Sequence, residues 1–246
     1  MTLPIEHPRA PAPAPGGMER RRAGRVGPLD PEALARSASG EIAQVTLQEL
    51  KARPRRTGEA SFFFYDTHFQ HNAAKVLPGE YFVSNEGIVI QTVLGSCIAA
   101  CLWDSRMRLG GMNHFMLPQG AGDTTGRYGS YAMELLINEM LKLGARRETL
   151  QAKIFGGGAV MANFTTMNVG ERNTHFVRDY LSTERIPIVS EDVLDIYPRK
   201  VVFFPVTGKA MVKRLAHAHP DVMAQEARGN VAVVASANKG GSIDLF

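Results

Sequence analysis

The sequence predicts an α+β domain. Short apolar runs, cut by glycine, proline or charge, crowd the first half. Two longer segments carry helical periodicity, and more apolar runs follow them. In order, Phe62-Phe63-Phe64-Tyr65 reads as an edge strand sealing the core rather than a binding stripe. Residues 81–83, 87–93, 97–104 and 110–117 read as strands. Residues 130–143 form a helix, with Met133, Leu136, Ile137, Met140 and Leu141 on one face and Gly144 as its stop. Residues 152–155 are a strand. Residues 168–184 are mostly helical, with Phe176, Val177, Tyr180 and Leu181 on one side, ending before Pro187. Strands at 186–189, 199–206 and 209–215 complete the set. No internal repeat is visible.

The chain has 246 residues, enough for one substantial core, and 44% hydrophobic with 21% charged residues fits a soluble globular protein. Its apolar runs fall far short of the ~20 residues of a membrane helix, and the first 30 residues lack a signal-peptide core. Two cysteines on one strand make no disulfide framework, so a reducing, cytoplasmic location is expected. Three parts follow. Residues 1–58 are expected to be a disordered, basic Pro/Ala-rich extension, since seven of the 14 prolines lie between Pro4 and Pro31. Residues 1–59 hold ten Lys/Arg against seven Asp/Glu, a difference of +3 out of the overall +4. Arg20-Arg21-Arg22 and Arg53-Pro54-Arg55-Arg56 read as a solvated tail, because no aromatics interleave them for base stacking. A short amphipathic helix is expected within 31–50, using Leu34, Ile42 and Val45. The folded domain spans 59–216, and a flexible tail covers 217–246.

The chemistry centres on Cys97, in Leu94-Gly95-Ser96-Cys97, and His114, 17 residues later in Gly111-Met112-Asn113-His114. Thiolate is the reactive form of cysteine, and a neighbouring imidazole is the usual means of making it. The intervening segment reads as a β-hairpin. With a two-residue loop, Asp104 faces Met107, Cys101 faces Gly110 and Cys97 faces His114; a longer loop shifts this by a residue or two. Backbone N–H groups of the Gly95–Ser96 turn are candidate oxyanion donors. Cys101, inside Ala-Ala-Cys-Leu-Trp, reads as a buried structural thiol. Phe155-Gly156-Gly157-Gly158 lacks the Gly-Lys-Ser/Thr of a phosphate loop and reads as a close backbone approach. His68 and His71 have no evident third metal ligand, and His217 and His219 read as solvated.

From Lys75-Val76-Leu77-Pro78-Gly79-Glu80-Tyr81, through Thr92-Val93-Leu94-Gly95-Ser96-Cys97, to Asn113-His114-Phe115-Met116-Leu117-Pro118, the chain closely resembles CheD, the chemoreceptor glutamine deamidase family of bacterial chemotaxis. Arg127-Tyr128-Gly129, Lys153 to Gly158, Val169-Gly170-Glu171-Arg172-Asn173, Ser190-Glu191-Asp192, Arg199 to Phe203 and Thr207-Gly208-Lys209 continue the likeness. The resemblance implies face-to-face β-sheets with helices packed outside, in α/β/β layers similar to cysteine-hydrolase deamidase toxins. It also implies a third catalytic residue, Thr92, to orient the imidazole. One departure stands out: relatives tend to carry two glycines after Glu-Asp, where this chain has Val193-Leu194-Asp195-Ile196-Tyr197-Pro198.

The implied activity is that of a protein-glutamine glutaminase. Cys97 attacks a glutamine side chain on the cytoplasmic helical region of a chemoreceptor. His114 moves the proton, Gly95 and Ser96 frame the oxyanion, and water hydrolyses a thioester to glutamate. No cofactor or metal is required. The resemblance also implies a CheC-type phosphatase as a partner; no specific nucleic-acid partner and no membrane insertion are expected. Two alternatives stay open: a thiol methylesterase on the same receptors, and a mainly non-enzymatic binder of that phosphatase.

Overall fold

The computed structural model describes residues 44–117, 127–160 and 169–216. The expected tail at 217–246, and residues 1–43 of the extension, lie outside the described residues. The elements are α1 (Leu47–Ala52), β1 (Phe62–Asp66), β2 (His71–Lys75), β3 (Tyr81–Ser84), β4 (Ile88–Leu94), β5 (Ile98–Asp104), β6 (Leu109–Asn113), α2 (Gly129–Lys142), β7 (Leu150–Gly156), α3 (Val169–Thr183), β8 (Ile188–Val193), β9 (Arg199–Phe204) and β10 (Lys209–Arg214).

The strands form two mixed five-stranded sheets, ordered β1-β2-β4-β9-β10 and β3-β6-β5-β7-β8. In each, one pair is parallel (β2 with β4, and β7 with β8) and the other pairs are antiparallel. Alternation along each strand separates the faces. Phe63, Ala74, Ile90, Val201 and Phe203 of the first sheet share one core with Phe82, Ala99, Cys101, Met112 and Phe155 of the second. The other face of the second sheet (Ala100, Leu102, Ile154) packs on Met133, Leu136, Ile137 and Met140 of α2 and on Val177 and Leu181 of α3. The layers therefore run helices, sheet, sheet. Helix α2 starts at Tyr128–Gly129 without a side-chain cap. Its four buried Met, Leu and Ile side chains, at ~1.5–3 kcal/mol each, outweigh the ~1 kcal/mol of a missing cap, so packing places the helix.

Three expectations need correction. Residues 44–58, assigned to the extension, pack on the domain. Thr46 and Glu49 form a capping box on α1, Val45 and Leu50 join the inter-sheet core, and Arg53 pairs with Glu86 at 2.7 Å. Of the helix expected within 31–50, residues 31–43 lie outside the described residues; the described part carries α1 at Leu47–Ala52, with Leu50 buried. Strand β2 was missed, because His71-Asn72-Ala73-Ala74-Lys75 lacks the β-branched and aromatic residues that mark a strand. In the β5–β6 hairpin, Asp104 faces Leu109 and Cys101 faces Met112. The loop thus holds four residues. Asp104 Oδ1 accepts the N–H groups of Arg106 (2.9 Å) and Met107 (3.1 Å), and Arg108 takes φ +48°. The pairing of Ile98 with Phe115 carries that register onward, so Cys97 lies opposite Met116 and diagonal to His114.

Candidate active site

The chain crosses from one sheet to the other at Gly95, Ser96 and Cys97, between β4 and β5. All three carbonyls of this turn are held. Gly158 N–H donates to Gly95 O at 2.8 Å, Asn173 Nδ2 to Ser96 O at 3.0 Å, and Gly157 N–H to Cys97 O at 2.8 Å. In a trans peptide the N–H points opposite the C=O. The N–H groups of Ser96 and Cys97 therefore face away from Gly158 and Asn173. Cys97 itself is 4% exposed and borders the inter-sheet core. Cys101, four residues on, is fully enclosed, and burial pushes its thiol pKa well up.

His114 follows β6 and is fully buried. Its backbone is fixed by the approach to β3: His114 N–H donates to Glu80 O at 3.0 Å, and Gly79 N–H donates to His114 O at 2.7 Å. Asn113, just before it, ties β6 to β5 and α2, accepting Ala100 N–H at 3.0 Å and donating to Ala132 O at 3.1 Å. Thr92 reaches it from the opposite sheet. Its Oγ1 lies 2.9 Å from His114 Nδ1 and 2.7 Å from the Val76 carbonyl. A carbonyl only accepts, so the single hydroxyl hydrogen goes to Val76 and the Thr92 oxygen accepts from Nδ1–H. This assigns the Nδ1–H tautomer and leaves Nε2 as the bare acceptor.

Nε2 is buried without a hydrogen-bond partner. Leaving a buried polar atom without a partner costs ~1–3 kcal/mol. Burial lowers the His114 pKa to about 4, partly offset by the Val76 carbonyl. At neutral pH the imidazole is therefore uncharged. The structure thus brings Thr92 and His114 into direct contact, and sets Cys97 on the neighbouring strand with Gly95 and Ser96 in its turn.

Other residues shape the site from behind the turn. Gly156 (φ +108°) and Gly157 (φ +67°) bring their arm against the turn so closely that a Cβ on Gly156 would meet Cys97 O at 2.1 Å. This is the close approach expected of the glycine run. Asn173 Nδ2 also donates to Met116 O at 2.8 Å, clamping both hairpin strands at once. Asn173 and Arg199 sat in segments resembling the family, but only the fold shows what they touch. Among the described residues no group of three His, Cys, Asp or Glu could hold a metal; His217 and His219 lie outside them.

The sheet-crossing turn thus carries a thiol diagonal, across the strand pair, to the imidazole whose Nε2 has no partner. The comparisons with known proteins place this chain more narrowly. The family described as CheD chemotactic sensory transduction matches residues 116–214, downstream of Cys97 and His114. "Probable chemoreceptor glutamine deamidase CheD 1" of Albidiferax ferrireducens is 70% identical over 211 residues, spanning 85% of this chain and 89% of its own length. "Probable chemoreceptor glutamine deamidase CheD" of Thiobacillus denitrificans is 50% identical over 193 residues, covering 76% and 96%. The "CheD 1" relative of Dechloromonas aromatica is 51% identical over 187 residues, covering 74% and 93%. The chain belongs to the CheD family. Among solved structures, the Bacillus licheniformis hypothetical protein YfiH overlaps 47% of this chain and 49% of its own. At 10% identity and a TM-score of 0.31, that overlap is too slight to define a shared fold.

Proposed function

We propose that this chain is a protein-glutamine glutaminase that deamidates glutamine side chains on the cytoplasmic helical region of chemoreceptors. The observation that carries the reading is the Thr92–His114 hydrogen bond, which leaves Nε2 open on a neutral, buried imidazole. The substrate follows from the names of relatives up to 70% identical. His114 Nε2 takes the Cys97 thiol proton as sulfur attacks the amide carbon. Backbone N–H groups of Ser96 and Cys97, turned from the side where Gly95 and Ser96 carbonyls are bound, would hold the oxyanion; one such donor is worth ~3 kcal/mol. The C–N bond breaks, the proton passes to the leaving nitrogen, and ammonia departs. Water, giving its proton to His114, then hydrolyses the thioester to glutamate and free thiol. This chemistry needs no metal or cofactor.

The catalytic domain ends near residue 216. No described helix is long and apolar enough to cross a membrane, which agrees with action on receptors from the cytoplasm. The two-sheet scaffold with helices on one outer face suits kinship with cysteine-hydrolase deamidase toxins, and a CheC-type phosphatase is a further partner.

The test is mass spectrometry of receptor cytoplasmic fragments incubated with the full chain, together with ammonia and methanol assays. Deamidated glutamines with ammonia release support the reading; methanol release from methylated fragments alone would replace it with an esterase. Cys97→Ala should abolish the reaction, while Cys101→Ala keeps most of it. Equal loss in both folded variants would refute the nucleophile assignment.

A further inference from the structure

Behind the nucleophile turn lies a charged side chain that the proposed chemistry does not use. Arg199 opens β9 opposite Leu94, the last residue before the turn, and is fully buried. Its Nε donates to Asp192 Oδ1 at 2.7 Å, Nη1 to the Tyr197 carbonyl at 2.9 Å, and Nη2 to the Leu194 carbonyl at 2.6 Å. Desolvating a guanidinium is costly, yet two of its nitrogens serve one short loop and the third the end of strand β8 that leads into it. That loop contains Leu194 at φ +64° and Asp195 at φ +67°, two consecutive left-handed residues that are not glycine.

From the loop, direct hydrogen bonds lead to the turn. Leu194 N–H donates to Gly156 O at 2.8 Å, and Ala159 N–H to Asp195 O at 2.7 Å. The arm between these contacts then donates to the turn, Gly157 N–H to Cys97 O and Gly158 N–H to Gly95 O. There is little slack. A Cβ on Gly158 would lie 3.0 Å from Tyr197 O and 3.4 Å from both Arg199 Nη1 and Gly95 O.

We propose that Arg199 is a positioning residue for the hydrolytic reaction. It holds the 194–197 loop in its left-handed path, and through residues 156–159 it fixes the Gly95–Cys97 turn on which the thiol and the oxyanion N–H groups are mounted. The inference rests on the reading of Cys97 as nucleophile. Its effect falls on the transition state, because a displaced donor or nucleophile weakens the chemical step while the docking surface for a receptor helix stays as it was.

The experiment uses the full chain and a receptor cytoplasmic fragment. It compares kcat, KM and melting temperature for wild type, Arg199→Lys, Ala159→Pro and Cys97→Ala. Arg199→Lys keeps a charge but loses the fork, and should lower kcat about tenfold or more at nearly unchanged KM. Ala159→Pro leaves the guanidinium intact and removes one N–H link, so it should lower kcat in the same way. It decides the matter if Arg199→Lys does not fold. Folded variants with wild-type kcat, or losses that only mirror the unfolded fraction, overturn the proposal. Activity in Cys97→Ala would instead overturn the nucleophile reading beneath it.

Discussion

Two left-handed turns stand in line behind the nucleophile turn, and they are made differently. Gly156 and Gly157 reach positive φ because they lack a Cβ, and their arm fits against Cys97 O only for that reason. Leu194 and Asp195 take the same backbone region with side chains in place, at a cost of ~1–2 kcal/mol per residue for ordinary amino acids. Their conformation is held from outside, by Arg199 and by bonds to residues 156 and 159. The first turn is specified locally and the second by tertiary contacts. Substitutions should therefore act very differently at the two places.

The largest effect is expected at Gly156→Ala. The new Cβ would overlap Cys97 O, so strand β7 or the nucleophile turn must move. A loss of about 4 kcal/mol, at the severe end for a single substitution, should appear in urea unfolding, with deamidation falling far more than the folded fraction. A folded, active Gly156→Ala would show that the arm does not set the turn.

The imidazole gives a control that involves neither turn. The His114 pKa is near 4 when folded, against 6.5 for the free side chain. The unfolded chain therefore binds the extra proton first as pH falls. The stability tied to keeping His114 neutral is fully present above pH 6.5 and is lost progressively down to pH 4, about 3 kcal/mol in all. In His114→Gln that part of the slope should vanish from denaturation measured between these pH values. An unchanged slope would mean that other groups govern the acid limb.

A substitution of pure packing comes next. Leu50→Ala removes the anchor of α1, a side chain 1% exposed, and should cost about 2–3 kcal/mol with little change in kcat. For the same reason, deleting residues 1–56 should lower the melting temperature. Equal stability of that truncation would show that α1 is not part of the domain.

How much of this was legible in the sequence follows the same division between local and tertiary causes. The α+β class, both long helices and most strands were readable, because apolar periodicity is local. The hairpin register was two residues off, although Asp104 at the start of a polar loop is the side chain that caps such turns. Thr92 came only through family resemblance, since its contact with His114 spans two sheets and no local spacing encodes it. Arg199 was legible only as the first residue of a strand and as part of the family likeness. Its burial becomes visible only when β9 pairs with β4 and places it beside the turn.

The smallest effect is at the second turn, and it tests what holds that turn. Leu194→Gly removes the left-handed penalty while adding unfolded-state entropy, so the net change should be within about 1 kcal/mol, on the stabilising side. Asp195→Gly should be nearer zero. Asp tolerates this conformation better, and its Oδ1 accepts the Ile196 N–H at 2.7 Å, a bond that glycine forfeits. The informative measurement is the double-mutant cycle. If Arg199 compensates for a strained leucine, Leu194→Gly should recover part of the stability and kcat lost in Arg199→Lys, with a coupling of about 0.5 kcal/mol or more. Glycine would then be doing by conformational freedom what the guanidinium does by hydrogen bonds. Strict additivity would mean that the loop keeps its path without Arg199, and that the left-handed pair is held by its bonds to Gly156 and Ala159 and by the Arg214–Asp195 pair.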